Sequence, residues 1–189
     1  MQRSQMQSDS PLLSFVSRVN VILGDLGMGK SAFAFYLAEQ IARSNRLPII
    51  ANIPNSLSLR VMDNPLQWEH SAVLILDEAH LILDSRAFAT KLSREISQQL
   101  SFLRKRNQIL IATFQYWGQV DIRLRAFTRG VWIAQGNWHY EYFVPHYSPL
   151  EESPEPSWES LAVFHIPEVQ QIFGKYDTLA IPSSLSRRS

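Results

Sequence analysis

The chain has 189 residues, 46% of them apolar, a formal net charge of +1 and no cysteine. That length argues for one domain with a small appendage, and the apolar share is enough for a real core, which excludes a disordered chain. The lack of cysteine excludes disulfides and thiolate metal sites, no apolar run approaches the ~20 residues of a membrane span, and the near-zero charge excludes a global field that would draw the protein onto nucleic acid.

Residues 1 to about 16 read as a flexible arm. Met1 to Ser10 is polar and Gln/Ser-rich, and Pro11 to Val16 is too short for a signal-peptide core. Val19 to Leu23 is an apolar first strand. It runs into Gly24-Asp25-Leu26-Gly27-Met28-Gly29-Lys30-Ser31, the phosphate-binding pattern G-x-x-x-x-G-K-[ST], and then Ala32 and a helix to Asn45. Phe33, Leu37 and Ile41 form that helix's apolar stripe. Pro48 to Ile53 reads as a second strand and Leu57 to Trp68 as a loop. Val73 to Leu76 is a buried third strand ending in Asp77-Glu78. A helix is expected over Lys91 to Arg106, with Ile96, Leu100 and Leu103 on one face, then a strand over Gln108 to Phe114 and a short helix over Val120 to Phe127. Val131 to Ala134 and Trp138 to Val144 flank Gly136-Asn137, a hairpin signal. Residues 145 to 160 are rich in Pro, Glu and Ser and read as a connector to a strand (Leu161 to Ile166) and a short helix (Pro167 to Phe173). The expected fold is α/β: a three-layer α/β/α phosphate-loop domain over residues 17–144, with a mostly parallel sheet and an added hairpin, and 145–189 as connector and appendage.

The chemistry follows from two segments together. The loop from Gly24 to Ser31 turns backbone N–H groups toward phosphates, helped by the positive end of the helix opening at Ser31 and Ala32. Lys30 is expected on the β- and γ-phosphates and Ser31 on Mg²⁺. Asp77, at a strand's carboxyl end, is the expected magnesium-side carboxylate, and Glu78 the base that polarises the attacking water. Gln115, just past the fourth strand, is either a γ-phosphate sensor or an ordinary loop residue. Arg86, Arg123, Arg125 and Arg129 are candidates for a guanidinium that completes a neighbour's site. Each one alone reads as a solvated arginine, while the set is expected to hold at least one finger. His80 reads as a packing or coupling residue, and histidines 70, 139, 146 and 165 lack metal-ligand spacing. The run Trp138-His139-Tyr140-Glu141-Tyr142-Phe143 alternates as a hairpin strand should, which favours a core or interface over base stacking.

The order of these motifs resembles the FtsK–HerA superfamily of ATPases. Within it the chain is similar to the Zot-like ATPases of filamentous-phage assembly and to viral genome-packaging ATPases. The likeness covers about residues 18–134. It takes in the phosphate loop, Ile50-Ala51-Asn52, Leu76-Asp77-Glu78 with Arg86 beyond, Arg104-Lys105 before the strand ending at Gln115, and Val120-Asp121 with Arg125. The resemblance implies ATP and Mg²⁺ as cofactors, Asp77 and Glu78 as the carboxylate pair, Gln115 as sensor, and Arg86 and Arg125 as leading finger candidates. It also implies a homo-oligomeric ring, hexamer or pentamer, moving nucleic acid. Zot-like proteins usually carry a membrane span after this domain. None occurs here, which favours a motor that packages double-stranded DNA, with capsid or virion vertex proteins as partners, in the host cytoplasm or the virion. The alternatives are an extrusion ATPase acting on proteins and a non-motor ATP switch such as a helicase loader.

Overall fold

The computed structural model of the protein describes residues 11–54, 56–83, 98–146 and 156–175. Among these residues the strands are β1 (Val19–Leu23), β2 (Ile49–Ala51), β3 (Ser58–Val61), β4 (Ala72–Leu76), β5 (Gln108–Thr113), β6 (Val131–Gly136), β7 (His139–His146) and β8 (Ser157–His165). They form one sheet in the order β3-β2-β4-β5-β1-β6-β7-β8. The first six pair in parallel, and β7 and β8 add antiparallel. β1 and β4 are buried at every position. That is what unbroken apolar strands require when helices cover both faces of the sheet.

Those faces carry two apolar clusters, so the domain is a three-layer α/β/α unit. On one face lies α1 (Lys30–Asn45), with 3₁₀ helices Pro11–Phe15 and Pro167–Lys175. On the other lie α2 (His80–Leu83), the helical residues 98–102, and the helix Ile122–Phe127. Phe33, Leu37 and Ile41 of α1 are fully buried, and so is Phe35, outside the expected stripe. The helix is enclosed because the sheet packs on one side and Pro167–Lys175 on another. α1 ends where Arg46 turns left-handed (φ 54°) and its N–H returns to the Ala42 carbonyl.

Several expectations shift. The arm expected to residue 16 includes a packed 3₁₀ helix: Leu12 is buried, and the Phe15 ring meets Trp132, Tyr142 and Phe164 at centroid separations of 6.1, 5.0 and 5.6 Å. Residues 1–10 lie outside the described residues. The loop expected over 57–68 contains edge strand β3 and a 3₁₀ helix, Pro65–Gln67, capped by the Asn64 side chain. The helix expected over 91–106 is described only from residue 98, with Leu100 and Leu103 buried; Ile96 lies outside the described residues. Residues 147–155 of the expected connector also lie outside. β8 and Pro167–Lys175 beyond it join the same sheet and core. The hairpin turn is one residue later than expected: Gly136 pairs with His139, so Asn137 and Trp138 are its central residues.

Leu12→Ala should lower the unfolding free energy by about 2–4 kcal/mol, as for a core leucine. A change in unfolding free energy of under ~0.5 kcal/mol in denaturant melts would show that segment 11–15 is a surface arm.

Candidate functional site

The site gathers at the carboxyl ends of β1, β4 and β5. Gly24, Gly27 and Gly29 have φ of 148°, 80° and 86°, in the region that disfavours side chains. A Cβ on Gly24 would also stand 2.7 Å from the Ala134 carbonyl oxygen on β6. The Gly24 N–H donates to the Gln115 carbonyl (3.2 Å), tying the loop to the chain leaving β5. Lys30 is buried, and its ammonium donates to the Asp25 carbonyl (2.9 Å), so it bridges the loop it belongs to.

Asp77 is the hub. The Ser31 hydroxyl lies 2.8 and 2.9 Å from its two carboxylate oxygens, and the Thr113 hydroxyl donates to Oδ1 (2.8 Å). Asn52, just past β2, pins the Asp77 backbone from both sides. Its amide Nδ2 donates to the Asp77 carbonyl (2.8 Å), and its Oδ1 accepts the Asp77 N–H (2.7 Å). Burial pushes the Asp77 carboxyl above its ordinary range; the two hydroxyls and Lys30 oppose this in part, and Glu78 adds to it. A buried carboxylate held by neutral hydroxyls lacks a close counter-charge.

That chemistry fits a hard divalent cation. Ser31 Oγ and the Asp77 carboxylate are oxygen donors of the kind Mg²⁺ takes along with phosphate oxygens and water. Among the described residues no group of three or more His, Cys, Asp and Glu could hold a metal, so a cation here would depend on the phosphates for its other ligands. The loop's glycine conformations suit a polyphosphate cradle, and a Cβ on Gly27 would meet nothing within 4 Å, so the loop is open at that position.

Glu78 sits in a left-handed conformation (φ 48°), uncommon for a residue with a side chain. It is held by its N–H donating to Thr113 Oγ1 (2.8 Å) and by the Ala79 N–H donating to the Thr113 carbonyl (2.9 Å). Its Oε2 lies 3.4 Å from His80 Nδ1, with both atoms shielded and no hydrogen bond formed between them. His80 is thus a neighbour of the carboxylate itself.

The structure brings Lys30, Ser31, Asp77 and Glu78 to one place, with Gln115 bonded to the loop's first glycine. Arg125 is not with them. It donates to the Val120 and Trp117 carbonyls (both 2.9 Å) and lies over the Trp117 ring (5.0 Å). Arg123 pairs with Asp121, Arg129 is exposed, and Arg86 lies outside the described residues. Thr113 and the clamping action of Asn52 were missed from sequence. The available signal was a threonine ending the strand inserted beside the carboxylate strand. A cavity of about 910 Å³ opens at the opposite end of the strands, beside Arg18, Arg104 and Arg129, and is lined by none of the phosphate-loop or carboxylate-pair residues.

The chain is similar to the N-terminal domain of zonular occludens toxin from Neisseria meningitidis, at 14% identity and a TM-score of 0.53, covering 86% of this chain and all of that one. It is also similar to a genome packaging NTPase of Sulfolobus turreted icosahedral virus 2, solved with AMPPCP and with ATP-gammaS. There the identity is 12% and the TM-score 0.50, over 67% of this chain and 91% of that one. At these identities the likeness is one of fold, the P-loop NTPase fold. No curated relative matches the chain. The model of the zonular occludens toxin (Zot) family matches residues 19–179, most of the sequence, and the chain therefore belongs to the Zot family.

Proposed function

We propose that this protein is an ATP-hydrolysing motor that translocates double-stranded DNA, packaging a viral genome into a capsid. The observation that carries the reading is the joining of a phosphate loop to a carboxylate pair and to a hydrogen-bonded exit route. The Gly24 N–H meets the Gln115 carbonyl, and the Gln115 N–H donates to Gln119 Oε1 (3.0 Å). Gln119 ends the short turn Trp117–Gln119, and Arg125 holds that turn's Trp117 carbonyl. A shift in the loop is thereby passed to the basic segment 123–129. The packaging NTPase of similar fold, solved with ATP analogues, supports the same reading.

Lys30 would leave the Asp25 carbonyl for the phosphates, and Ser31 and Asp77 would hold the cation. Mg²⁺, when bound, would supply charge neutralisation to the phosphates. Glu78 orients the attacking water and accepts its proton. Gln115 reports the γ-phosphate. Exposed apolar side chains surround the site: Leu26 is 83% and Tyr116 61% exposed, after β1 and β5. Such a rim suits coverage by a neighbouring copy in a hexameric or pentameric ring, which would deliver an arginine; Arg86 and Arg125 are the leading candidates, Arg125 by leaving its own turn for the neighbour. The ring would work on duplex DNA in the host cytoplasm and dock on capsid or vertex proteins. Membership of the Zot family favours, as second reading, an assembly or extrusion ATPase that acts on protein partners.

Two predictions follow from the carboxylates. Asp77 has a raised folded pKa, so the folded state binds the extra proton. Its stabilising share is full below the unfolded value of ~3.9 and is lost as pH rises through the folded value. Without nucleotide and Mg²⁺, Asp77→Asn should therefore lose less stability than wild type as pH rises above about 4 in denaturant melts; parallel pH profiles would count against a strained Asp77. Glu78→Gln should cut ATP turnover by roughly 10²–10⁴-fold and keep nucleotide binding. Duplex DNA should raise wild-type turnover, with DNA affinity falling steeply with salt. DNA-indifferent turnover would sink the translocation reading and leave the protein-acting ATPase.

A further inference from the structure

We infer that Trp138 is the nucleobase contact of this site, a role that rests on the phosphate-loop reading and extends it to the far end of the nucleotide. The sheet order sets the direction. β4 and β5, which carry Asp77 and Thr113, lie on one side of β1, and β6 and β7 lie on the other. With the γ-phosphate and its cation at Asp77 and Glu78, a nucleoside directed away from the carboxylates would cross the loop toward β6 and β7. The residues waiting there are those of the β6–β7 turn.

That turn rests on the loop. A Cβ on Gly136 would stand 3.0 Å from Met28 Sδ, and one on Gly29 would stand 3.1 Å from the Tyr140 hydroxyl and 3.9 Å from Trp138 Cζ3. The indole edge therefore faces the glycine that precedes Lys30, at a distance a single added Cβ would bridge. Trp138 is half-buried, and its ring meets Phe173 edge-on at 5.4 Å; Phe173 is itself 38% exposed. Trp138 also packs against the core cluster on the α1 face, so it is the uncovered part of its ring, with Phe173, that is available beside the loop.

The backbone gives a second, independent indication. Asn137 and Trp138 have φ of 47° and 63°, the double left-handed conformation of a type I′ turn, whose second central position ordinarily takes glycine. A tryptophan there is a steric outlier. It is held by the Ile166 N–H donating to its carbonyl (2.8 Å) and by the packing on Phe173. Strain of this kind persists where the surroundings over-determine it, and it clusters at ligand clamps. A glycine would form the turn at lower cost but would present no ring. Because every base has a π-face, stacking on an indole tolerates different bases. Trp138 therefore confers affinity for a nucleoside triphosphate without choosing between adenine and guanine.

The test is equilibrium binding of Mg·ATP, Mg·GTP and Mg·tripolyphosphate to wild type, Trp138→Ala and Trp138→Phe. Trp138→Ala should weaken ATP and GTP alike by about ten- to a hundredfold and leave tripolyphosphate, which has no base, unchanged. Trp138→Phe should restore most of the loss. Unchanged ATP binding in Trp138→Ala overturns the inference. So does a parallel loss of ATP and tripolyphosphate, which would make Trp138 a support for the loop. If wild type binds neither ATP nor tripolyphosphate, the phosphate-loop reading itself has failed and takes this inference with it.

Discussion

The structure is organised around one buried carboxylate. Asp77 is held by groups from four neighbouring places in the fold: Asn52 after β2, its own strand β4, Thr113 at the end of β5, and Ser31 in the first turn of α1. Asn52 binds the Asp77 backbone and leaves its charge free, while the hydroxyls satisfy the carboxylate without neutralising it. The result is an anion fixed in place and short of a counter-charge, which burial drives toward its protonated form. Such an arrangement costs stability, and proteins tend to keep costs of this kind at sites where a ligand relieves them.

Rigidity at Asp77 also sets the geometry of its neighbours. Thr113 bonds the Asp77 side chain, the Glu78 N–H and, through its carbonyl, the Ala79 N–H. One threonine therefore fixes both the buried Asp77 carboxylate and the left-handed turn that presents Glu78. On the other side of the loop, Gln115 joins β5 to Gly24 and to the turn Trp117–Gln119. Arg125 closes that turn with two hydrogen bonds to carbonyls and a cation–π contact. The residue singled out as a finger is thus, in this conformation, the brace of the segment that links the loop to the basic residues after it.

Much of this was legible in the sequence because the strongest signals are local. The phosphate loop needs glycines at fixed spacing, and Asp77-Glu78 at the end of an apolar strand needs no partner to be recognised. The position of β5 between β1 and β4 follows from the fold class. What could not be read depends on contacts distant in sequence. β3 is a four-residue edge strand between proline-bearing segments, with Leu59 and Val61 exposed, so its apolar alternation looks like a loop. Leu12 and Phe15 are ordered by β6, β7 and β8 rather than by their own neighbours. The hairpin turn was misplaced by one residue because Gly136-Asn137 is a sound local signal. Pairing of Gly136 with His139 puts tryptophan where glycine is usual. Thr113 has no motif and becomes visible only when β5 and β4 are side by side.

The most direct measurement is a crystal structure of the protein with Mg²⁺ and a non-hydrolysable ATP analogue. The account predicts that the Lys30 ammonium has left the Asp25 carbonyl for the β- and γ-phosphates. It also predicts the cation between Ser31 Oγ, Asp77 and phosphate oxygens, with Asn52 still clamping the Asp77 backbone. A nucleotide bound elsewhere, or Lys30 still on Asp25 with Asp77 away from the cation, would contradict it.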